Sequence, residues 1–168
     1  SEPTLRKALA IGADKAIRIN SDPNDGFFVA KQISGYITNN PYDLIITGRE
    51  SIDYNGAMVP GLIAGFLNIN YVTNCIKLEI DNENVLLDRE IDGGKETLKG
   101  KLPLIIGGQK GLVEESDLRI PNMRGIMQAR QKPLEVIEPY DFNSNTETLK
   151  FQKPLPKQAV KLVDSENL

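Results

Sequence analysis

Apolar positions in the first half of the chain alternate between two spacings. Leu5, Ala8, Leu9 and Ile11 follow Thr4 at helical intervals, and Gly12 stands where a helix C-terminal cap belongs. Ala16-Ile17-Arg18-Ile19 reads as a strand, ended by the polar turn Asn20-Ser21-Asp22-Pro23-Asn24-Asp25. Val29, Ala30, Ile33, Tyr36 and Ile37 then return to one helical face, which gives way at Asn39-Asn40-Pro41. Leu44-Ile45-Ile46 is a short apolar strand, and Leu62-Ile63-Ala64-Gly65-Phe66-Leu67 is helical again. Strand and helix alternating at this spacing predict βαβ units around a parallel sheet. The first element is a helix, where a chain of this class usually opens on a core strand.

After Asn68-Ile69-Asn70 the pattern changes. Thr73–Ile80, Val85–Ile91 and Thr97–Lys101 read as strands joined by the polar turns Asp81-Asn82-Glu83-Asn84 and Asp92-Gly93-Gly94-Lys95, an antiparallel excursion. Leu102-Pro103-Leu104-Ile105-Ile106 follows as a buried strand with proline near its start, and Gly107-Gly108-Gln109-Lys110-Gly111 as a flexible exit. Residues 112–132 are acidic first and basic later. The expected division is an α/β unit over residues 1–138 and an extended C-terminal arm over 139–168. That arm carries Pro139, Pro154 and Pro156 among polar residues, and would pack poorly on its own domain or lie across another protein.

Whole-chain numbers narrow the chemistry. With 168 residues, 40% of them hydrophobic, the chain can bury a core of its own. A net charge of −3, spread along the sequence, gives nucleic acid no electrostatic footing. No apolar run reaches the ~18 residues of a membrane span, so no membrane insertion is expected. The single cysteine, Cys75, permits no internal disulfide, suits a reducing compartment and reads as a buried, inert thiol. Histidine is absent altogether, which removes every His-based triad and imidazole metal site. Redox or transfer chemistry must then come from a bound cofactor or a partner.

The stretch with most chemical character is Gly48-Arg49-Glu50-Ser51-Ile52-Asp53-Tyr54-Asn55-Gly56-Ala57-Met58-Val59, set between a strand and a helix that begins near Pro60-Gly61. A strand, a glycine-containing polar loop and a helix start place backbone N–H groups and a positive helix end before an anion. A plain βα connection fits the same composition. Asp53 could meet ribose hydroxyls or cap the loop.

Three further segments carry a family pattern: Leu5-Arg6-Lys7-Ala8-Leu9-Ala10-Ile11-Gly12-Ala13-Asp14, then Arg89-Glu90-Ile91-Asp92-Gly93-Gly94-Lys95-Glu96 with Leu102-Pro103, then Arg119-Ile120-Pro121-Asn122-Met123-Arg124-Gly125-Ile126-Met127. In this order, with the loop from Gly48 to Asp53 between the first two, the chain resembles the β subunit of electron transfer flavoproteins from Thr4 to about Pro139.

The resemblance implies a three-layer α/β fold of the adenine-nucleotide-hydrolase-like, Rossmann-like kind, without hydrolytic activity and with no catalytic side chains or metal of its own. It implies AMP bound by Gly48 through Val59, and FAD held mainly by an α subunit. As a heterodimer the protein would carry electrons from flavin dehydrogenases, such as acyl-CoA dehydrogenases, to a quinone oxidoreductase. The setting would be the cytoplasm of a bacterium or the mitochondrial matrix of a eukaryote. The family begins roughly two βα elements (~70 residues) earlier and ends beyond Leu168, so a fragment is expected. Where relatives place polar residues at the helix start, this chain has Ala57-Met58-Val59-Pro60, leaving backbone donors alone for the phosphate.

Docking to dehydrogenases is implied for Ile120, Pro121, Asn122, Met123, Arg124 and Gly125, with the adaptable thioether of Met123 as the inserted group and Arg124, Arg130 and Lys132 steering. Ile126, Met127 and Leu134 are expected to pack a helix on the core. Arg89, Glu90 and Asp92 read as a solvated, salt-bridged hairpin or as a contact to the α subunit. Two other readings stay open. One is a bifurcating flavoprotein with a second FAD in place of AMP, the other a stand-alone universal-stress-type nucleotide module.

Overall fold

The structure, a computed structural model, describes residues 2–157; Ser1 and the arm residues 158–168 lie outside the described residues. Helix α1 (Glu2–Ala10) leads to β1 (Ala16–Ile19), α2 (Gly26–Asn39), β2 (Leu44–Gly48) and α3 (Val59–Leu67). Strands β3 (Asn70–Asp81), β4 (Asn84–Ile91), β5 (Gly94–Lys101) and β6 (Leu104–Gly108) follow, then a 3-10 turn at Glu115–Asp117, α4 (Met123–Ala129) and β7 (Leu134–Ile137).

The strands form two sheets. One has the order β2-β6-β3-β4-β5, parallel over β2, β6 and β3 and antiparallel from β3 onward. The other pairs β1 with β7 in parallel, Ala16 opposite Leu134 and Ile19 opposite Ile137. The expected antiparallel excursion is thus a meander that continues the parallel sheet, because the 12-residue β3 changes partner along its length. It pairs β6 up to Cys75 and β4 from there, with a register shift around Asn74, whose φ is 55°.

Strand β6 explains the core. It is buried on both faces, so its alternate side chains serve two clusters. Ile105 joins Ala30, Ile37, Ile63 and Ala64 beneath α2 and α3. Leu104 and Ile106 join Cys75, Val85 and Leu87 on the opposite face. Each buried Leu, Ile or Val among them contributes about 1.5–3 kcal/mol by leaving water. Cys75 has no exposed surface, as expected of an inert thiol, and burial pushes its thiol pKa up. The flexible exit starts later than predicted, since Gly107 and Gly108 are still in β6. A Cβ on Gly107 would lie 2.9 Å from the Tyr71 hydroxyl, so glycine there serves close packing rather than mobility.

Helices α1 and α4 cover β1 and β7 through Leu9, Ala16 and Ala129, with Leu134 against them. Two cations lock this unit reciprocally. Arg6 Nη1 donates to the carbonyls of Ala129 (3.0 Å) and Lys132 (3.2 Å), while Lys132 Nζ donates to those of Leu9 (3.1 Å) and Ala13 (2.7 Å). Both cations satisfy carbonyls at helix ends. Lys132 is therefore occupied inside the fold and is withdrawn from the steering group.

The arm is less detached than its composition predicts. Tyr140 lies on Gly35, and its N–H and carbonyl pair with Oε1 and Nε2 of the buried Gln32, both at 2.8 Å. No helix among the described residues is long and apolar enough to cross a membrane.

Candidate functional site

The loop between β2 and α3 is solvent-exposed almost throughout, with Ile52 97% and Tyr54 78% exposed. Gly48 closes β2 opposite Gly108, and neither Gly48 nor Gly56 has an atom within 4 Å of where a Cβ would stand. Arg49 is held at the base, donating to Oε1 of Gln109 at 3.1 Å and pairing with Glu50. The Ser51 carbonyl accepts from the Asn55 amide at 2.8 Å. The Ser51 hydroxyl, with the amides of Asp53 and Tyr54, holds the Asp53 carboxyl below the usual carboxylate range. The bonds that Asp53 makes are all to the loop itself.

Asn55 and Ala57 both have φ of 48°. For Ala57 this left-handed conformation costs about 1 kcal/mol, and strain of this kind gathers at sites where the loop shape matters. Helix α3 then begins at Val59 with Pro60 in its first turn and no side-chain cap from Met58. Its leading N–H groups carry the positive end of the helix dipole toward the loop with no side chain of their own to satisfy. The loop thus combines open space at two glycines, left-handed backbone at Asn55 and Ala57 and a helix start without a side-chain cap.

A cavity of about 480 Å³ at the loop base is lined by Arg49, Gln109, Asn74, Arg89, Glu90 and Asp92 among others. It brings together the start of the loop and the β4–β5 hairpin, a juxtaposition that sequence spacing does not reveal. Asn74 and Gln109 enter through the strand bulge and the end of β6, and no local motif marks either. The hairpin forms with its turn at Asp92-Gly93; of Arg89, Glu90 and Asp92 it is Arg89 that is shown ion-paired, its Nε 2.6 Å from Glu96, while Asp88 is bonded to Thr97 (2.7 Å) and Lys95 (3.1 Å).

Residues 118–127 expose a run of large apolar side chains. Leu118 is 55% exposed, Ile120 82%, Met123 75%, Ile126 42% and Met127 65%. Ile126 and Met127 thus do not pack the core as expected, and Leu134 belongs to β7 rather than to the helix. The reason lies on the other face of α4. Gly125 and Ala129, one turn apart, face α1, and a Cβ on Gly125 would come 2.3 Å from the Ala10 carbonyl oxygen. Small residues take the inner side, so large ones are turned outward. Asn122 caps the helix, accepting from the Gly125 amide at 2.7 Å. Pro121, Arg124 and Arg130 are exposed alongside.

Asp25, which sequence reading left inside a turn, is the N-cap of α2 and also holds the arm. Its position just before a helical pattern marked the cap. Nothing local marked the second role. Among the described residues no group of three or more Cys, Asp or Glu side chains is arranged to hold a metal ion.

Residues 1–142 match the family described as Electron transfer flavoprotein domain. The chain is 34% identical over 177 residues to electron transfer flavoprotein subunit beta of Bacillus subtilis (strain 168), covering 99% of this chain and 68% of that protein. Identity to the protein of the same name from Dictyostelium discoideum is also 34%, with coverage of 100% and 68%. The Homo sapiens protein of that name is 30% identical, with coverage of 99% and 68%.

Proposed function

As the chain belongs to the electron transfer flavoprotein domain family, among proteins named as its β subunit, we propose that it works as the β subunit of such a flavoprotein. In this reading a companion α subunit holds FAD, which supplies the redox chemistry. The heterodimer takes electrons from flavin dehydrogenases and delivers them to a quinone oxidoreductase. This chain contributes shape rather than reacting groups, in keeping with a sequence that lacks histidine.

Three parts of the chain divide the work. The loop from Gly48 to Val59 holds AMP, its phosphate met by amides at the start of α3 and its site shaped by Asn55 and Ala57. The C-terminal arm, beyond its attachment to α2 at Tyr140–Thr146, reaches the companion subunit. Leu149, Phe151 and Leu155, each 88% exposed, are the groups in its described part that would be covered there. The apolar run at 118–127 docks dehydrogenases, Ile120 and Met123 being inserted and Arg124 and Arg130 flanking them.

The observation that carries the docking assignment is the run of large apolar side chains turned outward by the Gly125–Ala129 face of α4. Its test is the double variant Ile120→Ala/Met123→Ala in the assembled heterodimer. Reduction of its flavin by a dehydrogenase should fall about tenfold or more in kcat/KM, with FAD content unchanged. An undiminished rate would refute the docking role.

A further inference from the structure

The carboxylate of Asp25 makes two sets of bonds in opposite directions. Oδ1 accepts from the Phe28 amide at 2.6 Å and so caps α2. Oδ2 accepts from the amides of Asn145 (2.7 Å) and Thr146 (2.9 Å) and from the Thr146 hydroxyl (3.1 Å). One side chain thus joins the start of a helix to a segment 120 residues away.

Gln32, two turns further along α2, makes the second attachment through its reciprocal pair with the Tyr140 backbone. Between the two, the rings of Tyr140 and Phe142 stack at 6.1 Å, and Lys31 Nζ lies 5.2 Å from the Phe142 ring centre. Among the described residues, none after Thr146 makes a hydrogen bond or ion pair to the rest of the chain. The next residues, Thr148-Leu149-Lys150-Phe151-Gln152-Lys153, alternate polar and apolar like a strand, yet form no regular element and expose both apolar side chains.

We infer that Asp25 is a latch that sets the arm before any partner arrives. With residues 140–146 already fixed on α2, the described residues that remain to be placed on the companion subunit are 147–157. Less conformational entropy is then lost on association, and the exit direction of the strand-patterned run is set in advance. Asp25 is therefore a positioning residue for subunit assembly without touching the other subunit. Its purpose rests on the reading of this chain as half of a heterodimer; the latch itself does not.

The test uses Asp25→Ser in the full chain, because serine keeps the helix cap but is too short to hold the arm. Asp25→Asn is the isosteric companion, setting an amide donor against the two amide donors of the arm. Chymotrypsin cleavage followed by mass spectrometry reads the latch, with Phe151 as the internal control. In the wild type, cleavage after Phe142 should be at least about tenfold slower than after Phe151. Both variants should bring the two rates within about threefold, while circular dichroism shows helicity retained. Slow cleavage after Phe142 in both variants would overturn the latch.

The second readout is affinity for the α subunit encoded by the same organism, expected to weaken about tenfold in Asp25→Ser. Unchanged affinity with faster Phe142 cleavage would overturn the assembly role. Absence of binding by the wild type would strike the heterodimer reading instead, and the proteolysis would still decide the latch.

Discussion

At the scale of single residues, the chain's conformational strain and its close contacts sit where the proposed functions meet the fold. Ala57 occupies left-handed backbone that glycine adopts more readily. Ala57→Gly should raise the unfolding free energy by about 0.5–1 kcal/mol, the relief of strain exceeding the added freedom of the unfolded chain. Urea titration checks this, and a loss of stability would show that the loop is not strained there. Much at this scale was hidden from sequence reading. The turn residue Asp25 could be read as a cap because caps obey local rules. Lys132 looked like one more surface cation in a basic stretch, yet its ammonium is bonded to carbonyls more than 100 residues away. Gln32 carried no signal, since its partner is a backbone in the arm.

Among secondary-structure elements, regular periodicity was legible and pairing was not. Helices α1 and α2, strand β1 and the β4–β5 hairpin fall close to where apolar spacing and turn residues put them. Strand β7 was missed because the run Leu134–Ile137, set between Pro133 and Glu138-Pro139, is too short to show alternation. Its stability comes from β1, distant in sequence. Helix α4 was read with its large residues inward, whereas the approach to α1 demands small ones. This contrast yields a pair of predictions of opposite sign. Gly125→Ala drives a methyl into the Ala10 carbonyl and should cost about 1–3 kcal/mol. Gly65→Ala, at an exposed position of α3 with nothing within 4 Å of the added methyl, should stabilise by about 0.5–1 kcal/mol. Denaturant unfolding of both variants decides, and equal effects would contradict the packing described for α4.

For the molecule as a whole, the polar and apolar surfaces are sorted by position. Edge strand β5 presents Lys95, Lys99 and Lys101, which discourage pairing with another sheet. Large apolar groups are instead left outside at the loop before α3, at residues 118–127 and along the arm. Exposed apolar groups at these places suit the proposed role, in which the chain meets a companion and successive partners. The family was legible from short segments because their order and intervals are specific. The meeting of loop base and hairpin around one cavity was not, since it depends on the bulge that redirects β3. The measurement that bears most directly on this account is the composition of the complex captured from its native host through a tag on this chain. Mass spectrometry and flavin absorbance should find one companion subunit, one FAD and one AMP for each copy of the chain. A homodimer holding ATP, with no flavin-bearing companion, would contradict it.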